Sequence, residues 1–152
     1  MPDIISVKNY LEGYLKVPRD QIRILLDKAA SRRAIIDEFK RLQDDERIKV
    51  GDPILIYFAG HGSEIQSGEG KMQAIVPQDY CGSLGKEVPA IPDRTIGALI
   101  AQIAEKKGDN IVRFLLLTHF GWLTKYIRLL YSTVVIRVPV HGLGRGTTRG
   151  HP

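Results

Sequence analysis

The chain is expected to fold as an α/β domain, a parallel sheet flanked by helices, and three observations carry that expectation. Segments that read as strands, residues 21–26 and 54–59, alternate with segments that read as helices, 3–16, 31–44 and 92–107. The run Ile54, Leu55, Ile56, Tyr57, Phe58 is apolar and β-forming throughout, as a buried strand requires. A length of 152 residues, 43% hydrophobic and 26% charged, supplies one real core in one soluble domain.

The first helix, about 3–16, is read from Ile4, Val7, Tyr10, Leu11, Tyr14 and Leu15, whose spacing fits one helical face. Val17 and Pro18 end it, and Gln21, Ile22, Arg23, Ile24, Leu25 and Leu26 follow as a strand. Ser31 is a plausible N-cap for a second helix to about residue 44, with Ala34, Ile35, Phe39 and Leu42 inward. The next strand covers 54–59 and stops at Gly60-His61-Gly62. Residues 72–76 suit a short hairpin arm. Pro92 and Asp93 open a third helix that closes at Lys107, with Gly108-Asp109-Asn110 as a turn or C-cap.

Composition excludes several classes. The single cysteine, Cys81, rules out an internal disulfide framework and fits a reducing, cytoplasmic setting. The start has neither a basic n-region nor a long apolar h-region. The longest apolar stretch, 112–117, contains Arg113 and is too short to span a bilayer, so no membrane association is expected. All 17 acidic residues lie at or before Asp109, whereas six basic ones (Arg113, Lys125, Arg128, Arg137, Arg145, Arg149) follow it. That basic tail carries no nucleic-acid-binding motif, and nucleic acid is not an expected partner. Oligomeric state is left open.

Chemistry concentrates at His61. A buried strand that ends by presenting a histidine between two glycines suits a catalytic base. The strand fixes the backbone, the glycines admit a substrate, and imidazole both takes and gives a proton near neutral pH. In such sheets ligand sites lie at the carboxyl ends of strands, where His61 would sit. The competing explanation is a strand-ending histidine in a glycine turn without chemistry. His119, His141 and His151 are widely spaced and lack Cys, Asp or Glu companions, so neither a metal nor another cofactor is expected. Asp79 and Cys81 read as turn residues rather than as catalytic groups.

Taken together, the strand with His61-Gly62, the polar Gly-rich stretch after Ser63-Glu64, the segment Ala74 to Tyr80 and the helix opened by Ile91-Pro92-Asp93 resemble the caspase-like cysteine peptidases. The metacaspase-type and fungal caspase-domain proteins are the nearest in pattern, and the resemblance covers roughly residues 7–111. It implies a cysteine endopeptidase acting on a protein or peptide substrate. His61 would be the general base of a Cys-His dyad, and the N–H of Gly62 would form part of the oxyanion hole.

The resemblance fails where the nucleophile belongs. In the family, the strand after the Gly-Asp-Asn-type turn ends in a cysteine-bearing segment. Here Ile111 runs into Val112, Arg113, Phe114, Leu115, Leu116, Leu117, Thr118 and His119, and no cysteine follows. The first strand of the family also lies ahead of its first helix, and residues 3–6 are at best a remnant of it. The expected organisation is therefore a partial caspase-like domain over 1–111, with first strand and nucleophile strand incomplete, and a divergent, partly disordered tail over 112–152. A translated intron would explain the tail. Every valine codon, that of Val112 included, begins with GT, and a one-nucleotide shift lets the codon at Val138 encode cysteine. The expected function is that of a cysteine-type endopeptidase domain rendered inactive by loss of its thiol. The alternative is a non-catalytic homologue acting as a protein-interaction module.

Overall fold

The computed structural model describes residues 2–68, 70–81, 87–119 and 132–137. In chain order these form α1 (Pro2–Gly13), β1 (Ile22–Leu26), α2 (Arg32–Asp44), β2 (Ile54–Ser67), β3 (Gly70–Ile75), β4 (Ile91–Pro92), α3 (Asp93–Lys107), β5 (Ile111–His119) and β6 (Ser132–Arg137), with single 3-10 turns on either side of β1. The sheet has six strands in the order β1-β6-β2-β3-β4, and β5 also pairs with β2.

Alternation along β2 divides the core between two layers. Ile54, Ile56 and Phe58 pack with Ile35, Phe39 and Leu42 of α2 and Ile96 and Ile103 of α3. Leu55, Tyr57 and Ala59 face the other way, toward Ile4 and Leu11 of α1, with Val17 and Ile22 beside them. The second and third helices lie where the apolar periodicity puts them, whereas α1 ends at Gly13, short of the expected residue 16, and Tyr10, Tyr14 and Leu15 are exposed and not inward. Ser31 caps α2 as expected, its Oγ accepting from the Ala34 N–H at 3.2 Å. One inward position of α2 is acidic: Glu38 is 5% exposed, and its carboxylate accepts from Arg41 Nε at 2.7 Å. That charge-assisted bond is what lets a carboxylate sit in the core.

The α/β class holds, but the all-parallel sheet does not. Among the described residues only β2 and β5 pair in parallel; β2 with β3, β2 with β6, β1 with β6 and β3 with β4 pair antiparallel. Two causes account for this. β2 does not stop at Ala59 but continues to Ser67, because β3 takes up its edge from Gly62 onward as a hairpin. Between β1 and β2 lies β6, antiparallel to both. Residues 3–6 are not a remnant strand, since they belong to α1. The strand after the Gly108-Asp109-Asn110 turn, β5, is nine residues long. The expected boundary at 111/112 falls inside β5, and the expected disorder after residue 140 lies outside the described residues.

A compact junction aligns the two parallel strands. The Gly51 N–H donates to Lys107 O at 2.7 Å, Asn110 Nδ2 to Gly51 O at 3.1 Å, and the Ile54 N–H to Asn110 O at 2.9 Å. Lys107 Nζ reaches Asp45 O and Ile48 O at 2.9 and 3.2 Å, satisfying carbonyls of the loop ahead of β2. These contacts start β5 level with β2, Ile111 opposite Ile54, and so set every pairing further along.

Candidate functional site

The parallel register of β2 and β5 ends at Gly62 opposite His119, so His61 and Gly62 stand at the carboxyl end of the parallel section. Open α/β sheets place ligands at such an end. His61 is held on both sides by backbone: Thr118 is its register partner on β5, and its carbonyl accepts from the Val76 N–H at 2.9 Å. Gly62 pairs with His119 on one side and Ile75 on the other. The histidine is only 3% exposed, so β2 carries it inside the sheet rather than presenting it on an open turn.

Gly60 has a packing role on its own strand. A Cβ on Gly60 would come within 2.9 Å of Phe58 Cζ and 3.2 Å of Cε1. Gly60 thus makes room for the Phe58 ring on its own strand, an internal packing requirement independent of any substrate.

Past Ile75 the chain crosses to the start of α2. The Gln78 N–H donates to Ala30 O at 3.0 Å, and Asp79 Oδ1 accepts from the Arg32 N–H at 2.7 Å. Asp79 therefore caps α2 from a distant segment, beside the local cap from Ser31, and its charge suits the positive end of the helix. Asp79→Ala is expected to cost about 0.5–2 kcal/mol. Asp79→Asn, which keeps an acceptor, should cost less, and urea denaturation of the two variants checks the order.

Cys81 lies six residues past the end of β3, on the segment that leaves the Val76 contact with the His61 carbonyl. It is half-buried in an isolated bridge with Val88, its N–H donating to Val88 O at 3.1 Å and its carbonyl accepting at 3.0 Å. His141 and His151 lie outside the described residues. Among those described, no group of three or more His, Cys, Asp or Glu converges on a metal-sized site, and no helix is long and apolar enough to cross a membrane.

Sequence reading missed Thr118, the residue placed level with His61. The signal was present: two β-runs that start together at Ile54 and Ile111 bring 61 and 118 to the same height. A second missed feature is apolar exposure on α1 and the turn that follows it. Ile5, Tyr10, Tyr14 and Leu15 are about half or more exposed, and the Tyr10 and Tyr14 rings stack at 5.1 Å. A cavity of about 470 Å³ lies beneath, lined by Val7, Tyr10, Leu11, Leu15, Leu55 and Tyr57 among others. Comparison with known proteins found no matching family model, curated protein or solved structure.

Proposed function

We propose that this chain is a caspase-like domain that keeps the histidine of a cysteine-peptidase dyad and lacks its thiol, so that it does not hydrolyse peptides. The observation that carries the reading is His61-Gly62 at the carboxyl end of the β2/β5 parallel section, level with Thr118 and His119. In the intact chemistry a thiolate attacks the scissile carbonyl, N–H groups hold the oxyanion, and the histidine protonates the leaving amine. The residues level with the histidine on β5 bring no thiol to it, and Cys81 sits on another segment, bridged to Val88. Without a nucleophile most of the rate is lost.

The expected result is no turnover of fluorogenic peptides ending in Arg, Lys or Asp. Steady cleavage that disappears in His61→Ala would overturn the reading. Sequencing the transcript across codons 105–152 separates two origins of the defect. A spliced message with a cysteine codon at the strand end marks this chain as a faulty copy of an active endopeptidase. The present frame alone marks a thiol-free homologue. The second reading, a protein-interaction module, draws on the exposed apolar residues of α1 and the turn after it, and on the cavity beneath them.

A further inference from the structure

We propose that the slot between β1 and β2 is a strand-accepting site whose occupant, residues 132–137, is exchangeable between copies of this chain. The inference stands independently of any catalytic role for His61.

Because β6 is antiparallel to both neighbours, β1 and β2 run parallel to each other with one strand's width between them. Two interstrand spacings make that gap about 10 Å. Side chains of both walls belong to common apolar clusters on each face of the sheet. On one face Ile4 and Leu11 of α1 gather Ile22, Ile24 and Leu26 of β1 with Leu55, Tyr57 and Ala59 of β2. On the other face Leu25 of β1 packs in the same cluster as Ile54, Ile56 and Phe58 of β2, under α2. Both walls therefore contribute to the core above and below the sheet.

β6 uses both walls along its length. Ser132 pairs with Leu26 and Ala59, Val134 with Ile24 and Tyr57, and Ile136 with Ile22 and Leu55. A segment paired on two edges has its main-chain donors and acceptors met by the two walls, which is how extended peptides gain affinity from sheets. β6 has no short tie to either wall. β1 connects to β2 through α2, whereas β6 follows β5 on the far side of β2 after residues 120–131. It is also last in chain order, after every residue of the walls. The same segment from a second copy would meet the same pairings, so occupancy in cis or in trans is decided by effective concentration and not by contacts.

The test uses the full-length chain. Val134→Pro removes an N–H in a central strand and prevents pairing there, leaving the slot without its own strand. A fluorescent synthetic peptide spanning residues 130–139 should bind this variant at least tenfold more tightly than the unaltered chain, whose own segment competes. The same peptide with proline at position 134 should not bind. Binding to neither chain, or equal binding of the two peptides, would overturn the proposal.

Should the proline variant fail to fold, cysteine pairs keep the question open to refutation. Ile24→Cys with Val134→Cys, and separately Arg23→Cys with Val135→Cys, are made in a Cys81→Ser background. Neighbouring antiparallel pairs alternate between wide and close spacing, so one of the two presents the close geometry. Intrachain bonds at low protein concentration that give way to interchain bonds at high concentration in mild denaturant support exchange. Intrachain bonds at every concentration, or none in either pair, overturn it.

Discussion

Replacing Phe58 with alanine is expected to lower stability by about 3–5 kcal/mol and to make position 60 tolerant of a side chain. Phe58 is 4% exposed, on the β2 face that packs under α2 and α3, and its ring lies over the bare Cα of Gly60. Truncation removes a large apolar area and leaves a cavity bounded by two helices that cannot simply collapse. In the unaltered chain Gly60→Ala would press a methyl to 2.9 Å from a ring atom, and overpacking of this kind costs about 1–3 kcal/mol. The ring is held by the core, so it cannot swing aside as a surface side chain would. In the Phe58→Ala background the obstacle is gone, and Gly60→Ala should become neutral or mildly stabilising by reducing unfolded-state freedom. Urea denaturation of the four chains in a double-mutant cycle measures the coupling. Simple additivity of the two penalties would sink this explanation and return Gly60 to a role at the surface of the site.

Gly108→Val is expected to cost about 2–4 kcal/mol, combining a backbone region closed to L side chains with a steric clash. Gly108 ends α3 with φ 87° and ψ 169°, its N–H donating to Ala104 O at 2.8 Å. This differs from an ordinary left-handed C-cap, for which asparagine is a tolerable substitute. An extended ψ with positive φ is a conformation that glycine alone adopts readily. A Cβ there would also lie 3.2 Å from the backbone nitrogen of Gly51, whose N–H is committed to Lys107 O. Neither atom can withdraw without breaking the junction that starts β2 and β5 level. Gly108→Asn should therefore fail to rescue, remaining within about 1 kcal/mol of the valine variant. Thermal unfolding of both checks this, and full recovery in the asparagine variant would show an ordinary cap.

Much of the scaffold was legible because its signals are local. Ser31 ahead of a periodic run and Pro92-Asp93 before another are each complete within one or two helical turns, whereas the spacing in 3–16 located α1 but overran its end at Gly13. Gly108 was legible as a helix end, although its unusual ψ was not, since that conformation answers to Gly51 across the junction. The buried Glu38 was illegible for a related reason. Its tolerance depends on Arg41 one turn later folding over it, and the pair reads on paper as an ordinary exposed i,i+3 couple. At the site, His61 and Gly62 stood out by residue type and spacing. Their burial, the packing role of Gly60 and the capping of α2 by Asp79 depend on segments tens of residues away.

The sequence by itself determined which stretches become helices, where β2 begins, and that a histidine between glycines marks its most distinctive point. Tertiary structure alone decided how far β2 runs, which strands flank it, and that Thr118 stands level with His61. The physical reason lies in the two kinds of hydrogen bonding. A helix closes its bonds within four residues, so its signals sit side by side in the chain. A strand is completed only by an edge supplied from elsewhere, and here β2 receives one edge from β5, fifty-seven residues on, and the other from β3 and from β6 near the end of the chain.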